Sequence, residues 1–367
     1  MRASPLHNKF AALGATFAAQ HGREIVARIA DRPAEYAAVR EVVGLTDFSF
    51  VQKFRVPEAT GLDFLDSLVA GNVPRIRFGR VLHTFLSNDD GLLLADCYIA
   101  NNDQEFIFLC ESIVPDAEIL RILDAAGLKA AGAEDLTETH VLLGIDGVRA
   151  WEVVKEAFGA DVLGLPYLSV EVYPFEGTSV YLFRAGKTAE FGYQLLAPVA
   201  VAEALFDKLH GLAQKSGGRC CGFDVHNDLR LEGRFFNIHA EGARVRDPLV
   251  LGLQWMVDFE KEKFGGAAAI NRRRAEGLNQ KIVGVAVEPG NRELAVGAKI
   301  IEGGQVIGEV VADCFSGVLN RQIGLAVLPV AWAYSGLTFR LESGEPVQTI
   351  SMPPIMPKSL KVKLDEV

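Results

Sequence analysis

Gly186-Lys187-Thr188-Ala189-Glu190-Phe191-Gly192-Tyr193-Gln194-Leu195-Leu196-Ala197-Pro198 leads from a polar turn, carrying Glu190 and Gly192, into a short apolar strand. A turn of this kind can aim a side chain such as Gln194 into a cleft. Two later segments belong with it. One is Gly222-Phe223-Asp224-Val225-His226-Asn227-Asp228-Leu229-Arg230-Leu231-Glu232-Gly233-Arg234-Phe235, and the other runs from Gly303 to Pro329.

At 367 residues the chain exceeds one ordinary hydrophobic core, so two or three domains are expected. A hydrophobic content of 49% with 23% charged residues is ordinary for a globular protein. The formal charge of −10 argues against a nucleic-acid binder, because neutralising phosphates needs clustered Lys and Arg. The one basic run, Arg272 to Arg274, reads as a solvated helix face or helix end. No stretch approaches the ~20 uninterrupted apolar residues that span a bilayer, and Lys9, His21, Arg23 and Glu24 break up the first thirty. No membrane association and a cytoplasmic location are expected. Five cysteines without metal-ligand spacing, and scattered histidines, predict reduced buried thiols and no protein-held metal.

Helical spacing over 34–43 ends at Gly44, and 48–56 reads as a strand. A short helix over 63–70 precedes a hairpin, 80–86 and 92–99, around Ser87-Asn88-Asp89-Asp90-Gly91, with a third strand over 105–109 and a helix over 115–126. The grouping recurs from His140: strand, helix 148–158, strands 169–173 and 179–183, helix 201–215. Strands arriving as hairpins favour α+β over a doubly wound sheet. From Lys281 to Val347 short strands divided by Gly and Pro predict a small β-barrel or sandwich, with the boundary at Asn271 to Asn279.

Further pieces lie in a telling order: Ala38 to Ser49 (AVREVVGLTDFS), Phe78 to Gly91 (FGRVLHTFLSNDDG), Gly252 to Asp258 (GLQWMVD), Gly304 to Val310 and Gln322 to Ala326. Together with the three segments above, the series resembles the aminomethyltransferase (glycine-cleavage T-protein) superfamily of tetrahydrofolate-dependent enzymes. The resemblance covers nearly the whole chain. It implies a three-domain cloverleaf around a central opening that binds tetrahydrofolate, the first domain (1–50 and 140–270) interrupted by an inserted α+β domain (51–139), and a C-terminal β-barrel domain (271–367). It also implies a one-carbon donor, either a small molecule or an aminomethyl group on a lipoyl carrier protein.

The departures matter as much. The resemblance puts an Asp-Asp pair after the hairpin turn, its first carboxylate by the reactive folate nitrogen; here the pair is Ala95-Asp96. Strand alternation sends these two to opposite faces, and the hydrophobic pattern favours Ala95 facing the site, leaving Asp96 as a structural carboxylate that is catalytic only if the register slips by one. The pterin-gripping glutamate falls at Gln194, an arginine at His226, a tyrosine at Lys187, an asparagine at Glu111 and a cavity tyrosine at His83. A glutamine offers a pterin one acceptor and one donor pair, and losing charge assistance weakens the contact by about 1–2 kcal/mol. Catalytic candidates are His83, His226 and Asp96; cofactor-binding candidates are Gln194, Lys187, Glu190, Tyr193, Glu111 and the interdomain wall residue Trp255. Tyr98, Tyr173 and Tyr193 offer phenols, and Arg230 with Glu232 reads as an ion network beneath the site. A site without the carboxylate suits displacement at a methyl carbon, as in demethylating relatives, and the expected function is a folate-dependent one-carbon transferase outside standard glycine cleavage. The alternative is a folate-binding protein without turnover.

Overall fold

Strand His140–Asp146 is buried at every position, because it lies inside a sheet covered on both faces. The computed structural model describes residues 2–291 and 293–364. A six-stranded sheet runs Ser169–Phe175, Thr178–Arg184, Gly192–Pro198, His140–Asp146, Gly44–Asp47, Arg219–Cys220. A five-stranded sheet runs Val81–Ser87, Leu93–Asn101, Glu105–Ser112, Gln52–Pro57, Glu134–Asp135. The chain therefore leaves the first sheet after Asp47, builds the second, and returns at His140. The expected single strand over 48–56 is instead the crossing point: Gly44–Asp47 and Gln52–Pro57 belong to different sheets.

Each sheet buries one face under helices. Helices Ala150–Phe158 and Val199–Lys215 cover the six-stranded sheet, placing Trp151, Val154, Leu205 and Leu209 against Leu143, Leu195 and Tyr193. Helices Glu58–Leu68 and Asp116–Ala126 cover the five-stranded sheet with Phe64, Leu65, Ile119 and Leu123. The opposite faces meet each other: Tyr98, Ala100, Ile107 and Leu109 pack on Leu142, Phe183 and Leu196. Burial of that apolar area, at ~25 cal/mol per Å², is what joins the two units.

The third unit is a closed barrel of Gln280–Ala286, Arg321–Pro329, Gln305–Ser316, Lys299–Glu302, Thr338–Leu341 and Pro346–Ile350. Closure leaves no free sheet edge. The architecture is α+β with a C-terminal barrel. Two features bear on how the chain divides. Phe236, Leu249, Leu253, Met256, Phe264 and Ile270 pack with Ala70, Phe85 and Leu93 of the inserted unit and not within the first. A cut at 270/271 would also pass through helix Ala267–Glu276, whose Arg273 donates to the carbonyls of Asp90 and Gly91. The basic run is a helix end, but a tethered one.

Helix Phe223–Glu232 begins at Gly222, where an added Cβ would lie 2.1 Å from the Ala27 carbonyl oxygen and 2.6 Å from Arg28 Cα. Both obstacles are backbone, so neither can rotate away. Gly222→Ala is expected to destabilise the fold by about 1–3 kcal/mol, read as a shift in the urea midpoint with unchanged slope. A neutral result would mean that the approach of helix and strand is looser than described.

Candidate functional site

Alternation along Leu93–Asn101 decides the site. Ala95, Cys97 and Ile99 enter the core beneath the five-stranded sheet, while Asp96 and Tyr98 point into a cavity between the two sheets. This overturns the expectation that Ala95 faces the site. Both faces of the strand are buried, at 0% exposure for Ala95 and 2% for Asp96, so hydrophobicity alone could not tell them apart. The cavity holds a carboxylate after all. Nor does Asp96 bond neighbouring backbone: its partners are the side chains of His83 and Lys187.

Asp96, Tyr98, Glu111, Lys187, Gln194 and Arg230 line the cavity, with Phe48, Val51 and Leu142 as its apolar wall. His83 Nε2 lies 2.6 Å from Asp96 Oδ1. The Lys187 ammonium pairs with the other Asp96 oxygen and reaches Glu111 Oε2 at 3.2 Å, while sitting 5.0 Å from the Tyr98 ring centroid. Arg230 clasps Glu111 with two bonds of 3.0 Å. Two carboxylates thus pair with an ammonium and a guanidinium in a buried site. Burial pushes Asp96 up, but Lys187 and His83 outweigh it and hold the carboxyl down at about 2. Glu111 is likewise raised by burial and carried well below its ordinary range by Arg230 and Lys187. Both are carboxylates at neutral pH.

Trp255 is 64% exposed, with its ring 5.4 Å from that of His83, so it stands outside the cavity on the His83 side. His226 is placed differently from His83. It is buried edge-on to Phe48, with Nε2 3.3 Å from Asp146 Oδ2, and stands behind the cavity wall. Glu190 is an anchor: its oxygens accept the Lys358 and Ser359 amides, and Arg40 lies 3.5 Å away. Tyr193 points opposite to Gln194, into the core under the helices, and burial raises its phenol. Tyr173 is in that core too. So His83, Asp96, Lys187, Glu111 and Gln194 come together with Trp255 beside them, whereas His226, Glu190 and Tyr193 do not join them.

Three residues escaped the sequence reading. Arg40 is 2% exposed and ties three segments together, donating to Glu232 Oε2 at 2.8 and 3.0 Å and to the Thr188 carbonyl at 2.5 Å. Asp146 receives the Thr188 hydroxyl and faces His226. His239 Nε2 approaches Glu111 Oε1 at 3.3 Å. The one available signal was the arginine inside an otherwise apolar helix face at Ala37-Ala38-Val39-Arg40.

The shifted carboxyls make stability depend on pH in two opposite senses. Asp96 and Glu111 titrate lower in the folded chain than in the unfolded one, so their stabilisation is present above pH ~4 and lost as pH falls toward 2. Asp228 is raised by burial to about 6, so its contribution worsens as pH climbs from ~4 through 6. His140, lowered by burial to about 4, works against Asp228 over the same range, gaining stability as pH climbs from ~4 to ~6.5. Asp228→Asn should flatten the neutral side of the profile and leave the acid side in place; an unchanged neutral side in denaturant titrations would contradict the assignment.

A reduced pteridine needs donors and acceptors on its rim, and the cavity supplies them: the Gln194 amide, and the Tyr98 hydroxyl and Arg230 Nε, which are buried without a hydrogen-bond partner among the described residues. Chemically the lining fits. Spatially the cavity is about 20 Å³, room for one water and too small for a pteridine ring with the lining placed as it is. Among the described residues no group of three or more His, Cys, Asp or Glu could hold a metal, and no helix is long and apolar enough to cross a membrane.

Residues 6–261 match the GCVT N-terminal domain family, and residues 280–354 match the glycine cleavage T-protein C-terminal barrel domain. An aminomethyltransferase of Parafrankia sp. is 30% identical over 89% of this chain and 90% of its own length. One from Streptomyces coelicolor is 29% identical over 96% of this chain and 97% of its own. The crystal structure of glycine cleavage system aminomethyltransferase T from Bartonella henselae superposes with a TM-score of 0.83 over 97% of this chain and 98% of that one, at 22% identity, which shows a shared fold.

Proposed function

Because the chain belongs to the glycine-cleavage T-protein family, whose members include aminomethyltransferases, we propose that it is a tetrahydrofolate-dependent transferase moving a one-carbon unit from a small donor within the cavity between its two sheets. The observation that carries this reading is the His83–Asp96–Lys187 cluster, buried and facing the same space as Gln194. Tetrahydrofolate would supply the ring nitrogen that accepts the carbon, held by the Gln194 amide with the Tyr98 hydroxyl and Arg230 Nε beside it.

What the chain itself contributes is proton handling and exclusion of water. Asp96 remains a carboxylate down to low pH, so it orients donors and stabilises positive charge and does not act as a standing acid. Lys187 and His83 both contact it and are the groups that can protonate a departing amine, oxygen or sulfur. Retention of Asp96 in the cavity removes one reason for setting this chain apart from aminomethyl transfer. The reasons left are Gln194, Lys187 and Glu111, which rebuild the lining as a self-neutralised lattice, and the exposed Trp255 ring next to His83, a surface suited to a compact, flat donor.

The test is incubation with tetrahydrofolate and three donor classes: methoxy-aromatics, methylated amines or sulfonium compounds, and an aminomethyl-lipoyl carrier. Folate products are detected by mass. The expected product is a 5-methyl folate from a small methylated donor; a methylene folate and ammonia from the carrier alone would return the chain to glycine cleavage. A second reading, binding without turnover, is favoured by the mutual saturation of the four charges and the one-water cavity. Saturable tetrahydrofolate binding with no product from any donor would establish it.

A further inference from the structure

A far larger cavity than the central one, of about 480 Å³, lies where the first unit meets the barrel. Arg32, Pro33 and Tyr36 of helix Arg32–Glu41 form one wall, Asp228 of helix Phe223–Glu232 the floor, and Asp313, Cys314, Phe315 and Gln322 of the barrel the other wall. Its size and its position at a junction between units are those of a small-molecule site. Its charges are informative. Arg32 is committed to Asp228, donating through Nε at 2.5 Å and through Nη2 to the other oxygen. Asp313 has no cationic partner among the hydrogen bonds it makes: it accepts the Val296 amide at 2.9 Å and the Gln322 side-chain amide at 2.7 Å. A carboxylate has about four lone-pair sites, so capacity for further donors is left. Among the described lining residues carboxylates exceed cations by one, since Asp228 and Asp313 face a single Arg32. The buried Cys314 thiol feels this field: it is pushed well up, by burial first and then by Asp228, Glu232 and Asp313.

We propose that this junction is a second binding site, separate from the cavity between the sheets, for a small organic cation with a flat apolar body, its amine or amidine seated on Asp313 and its ring between Tyr36, Pro33 and Phe315. The apolar walls supply most of the contact, and the unbalanced carboxylate selects the sign of the charge. Gly317 fits the same design. A Cβ there would stand 2.6 Å from Tyr36 Cε1, so glycine lets the ring lie flat against the barrel turn. Tyr36 is held in place by its hydroxyl, which donates to Glu232 at 2.7 Å.

The full-length protein is titrated with benzamidine as cation, benzyl alcohol as neutral analogue and benzoate as anion, following heat by calorimetry with and without saturating tetrahydrofolate. Benzamidine is expected to bind saturably at a Kd of about 1 mM or tighter, benzoate not at all, and tetrahydrofolate to leave the titration unchanged. Asp313→Asn should weaken benzamidine by about tenfold or more. Pro33→Trp, at an exposed position on the rim, should block it equally while leaving the barrel contacts of Asp313 in place. Equal binding of benzoate, competition by tetrahydrofolate, or wild-type affinity in both variants would overturn the site.

Discussion

Asp96→Asn is expected to lower kcat by about 10²–10⁴-fold, while tetrahydrofolate binding measured by calorimetry changes only a few-fold. The substitution keeps shape and removes charge. His83 and Lys187 both orient on Asp96, so the neutral amide removes the charge that holds them and frees the two groups that would protonate the leaving atom. Since Lys187 and His83 hold Asp96 ionised down to about 2, wild-type kcat/KM should show no acid limb attributable to it above pH ~4. A variant retaining more than about a tenth of wild-type kcat would remove Asp96 from the chemistry. Loss of folate binding in parallel would mark it as a structural member of the charge lattice.

Arg40→Met should cost about 3–5 kcal/mol, the larger of the stability effects expected here. Arg40 lies among Glu232, Glu190 and the Thr188 carbonyl, and the side chains of Glu232 and Glu190 are 0% and 1% exposed. Removing the guanidinium leaves a buried carboxylate with only the Tyr36 hydroxyl for company. The damage spreads by geometry. Thr188 and Glu190 belong to the turn before the Gln194 strand, and Glu232 ends the helix that carries Arg230 to Glu111. The second-site variant Arg40→Met with Glu232→Leu should recover much of the loss, because the uncompensated charge is gone. A double variant no better than the single one would show that packing of the arginine stem, and not the buried charge, sets the cost.

These residues also show where sequence reading reached and where it stopped. The hairpin around Ser87 to Gly91, the helices read over 115–126 and 201–215, and the barrel read from Lys281 to Val347 all carry local signals: turn residues, helical spacing and short strands split by Gly and Pro. Gln194 was singled out by the turn before its strand and by the resemblance, and it lines the cavity. Ala95 and Asp96 were misread because the strand is buried on both sides, which erases the alternation that normally assigns faces. The packing of Phe236 to Ile270 was not legible, because no described strand lies there and its core partners Ala70, Phe85 and Leu93 are distant in sequence.

By itself, then, the amino-acid order determined the class of fold, the terminal barrel and the family, because each rests on local patterns or on the succession of segments. Which face of Leu93–Asn101 meets the cavity, that Lys187 spans two carboxylates, that His226 stands behind Phe48, and that Arg40 is the buried tie between distant segments were decided in three dimensions alone. The physical reason is common to all four. Charges and ring nitrogens in a buried interior are positioned by partners 76 to 192 residues away as much as by near ones, and no pattern of neighbours along the chain records where those partners will be.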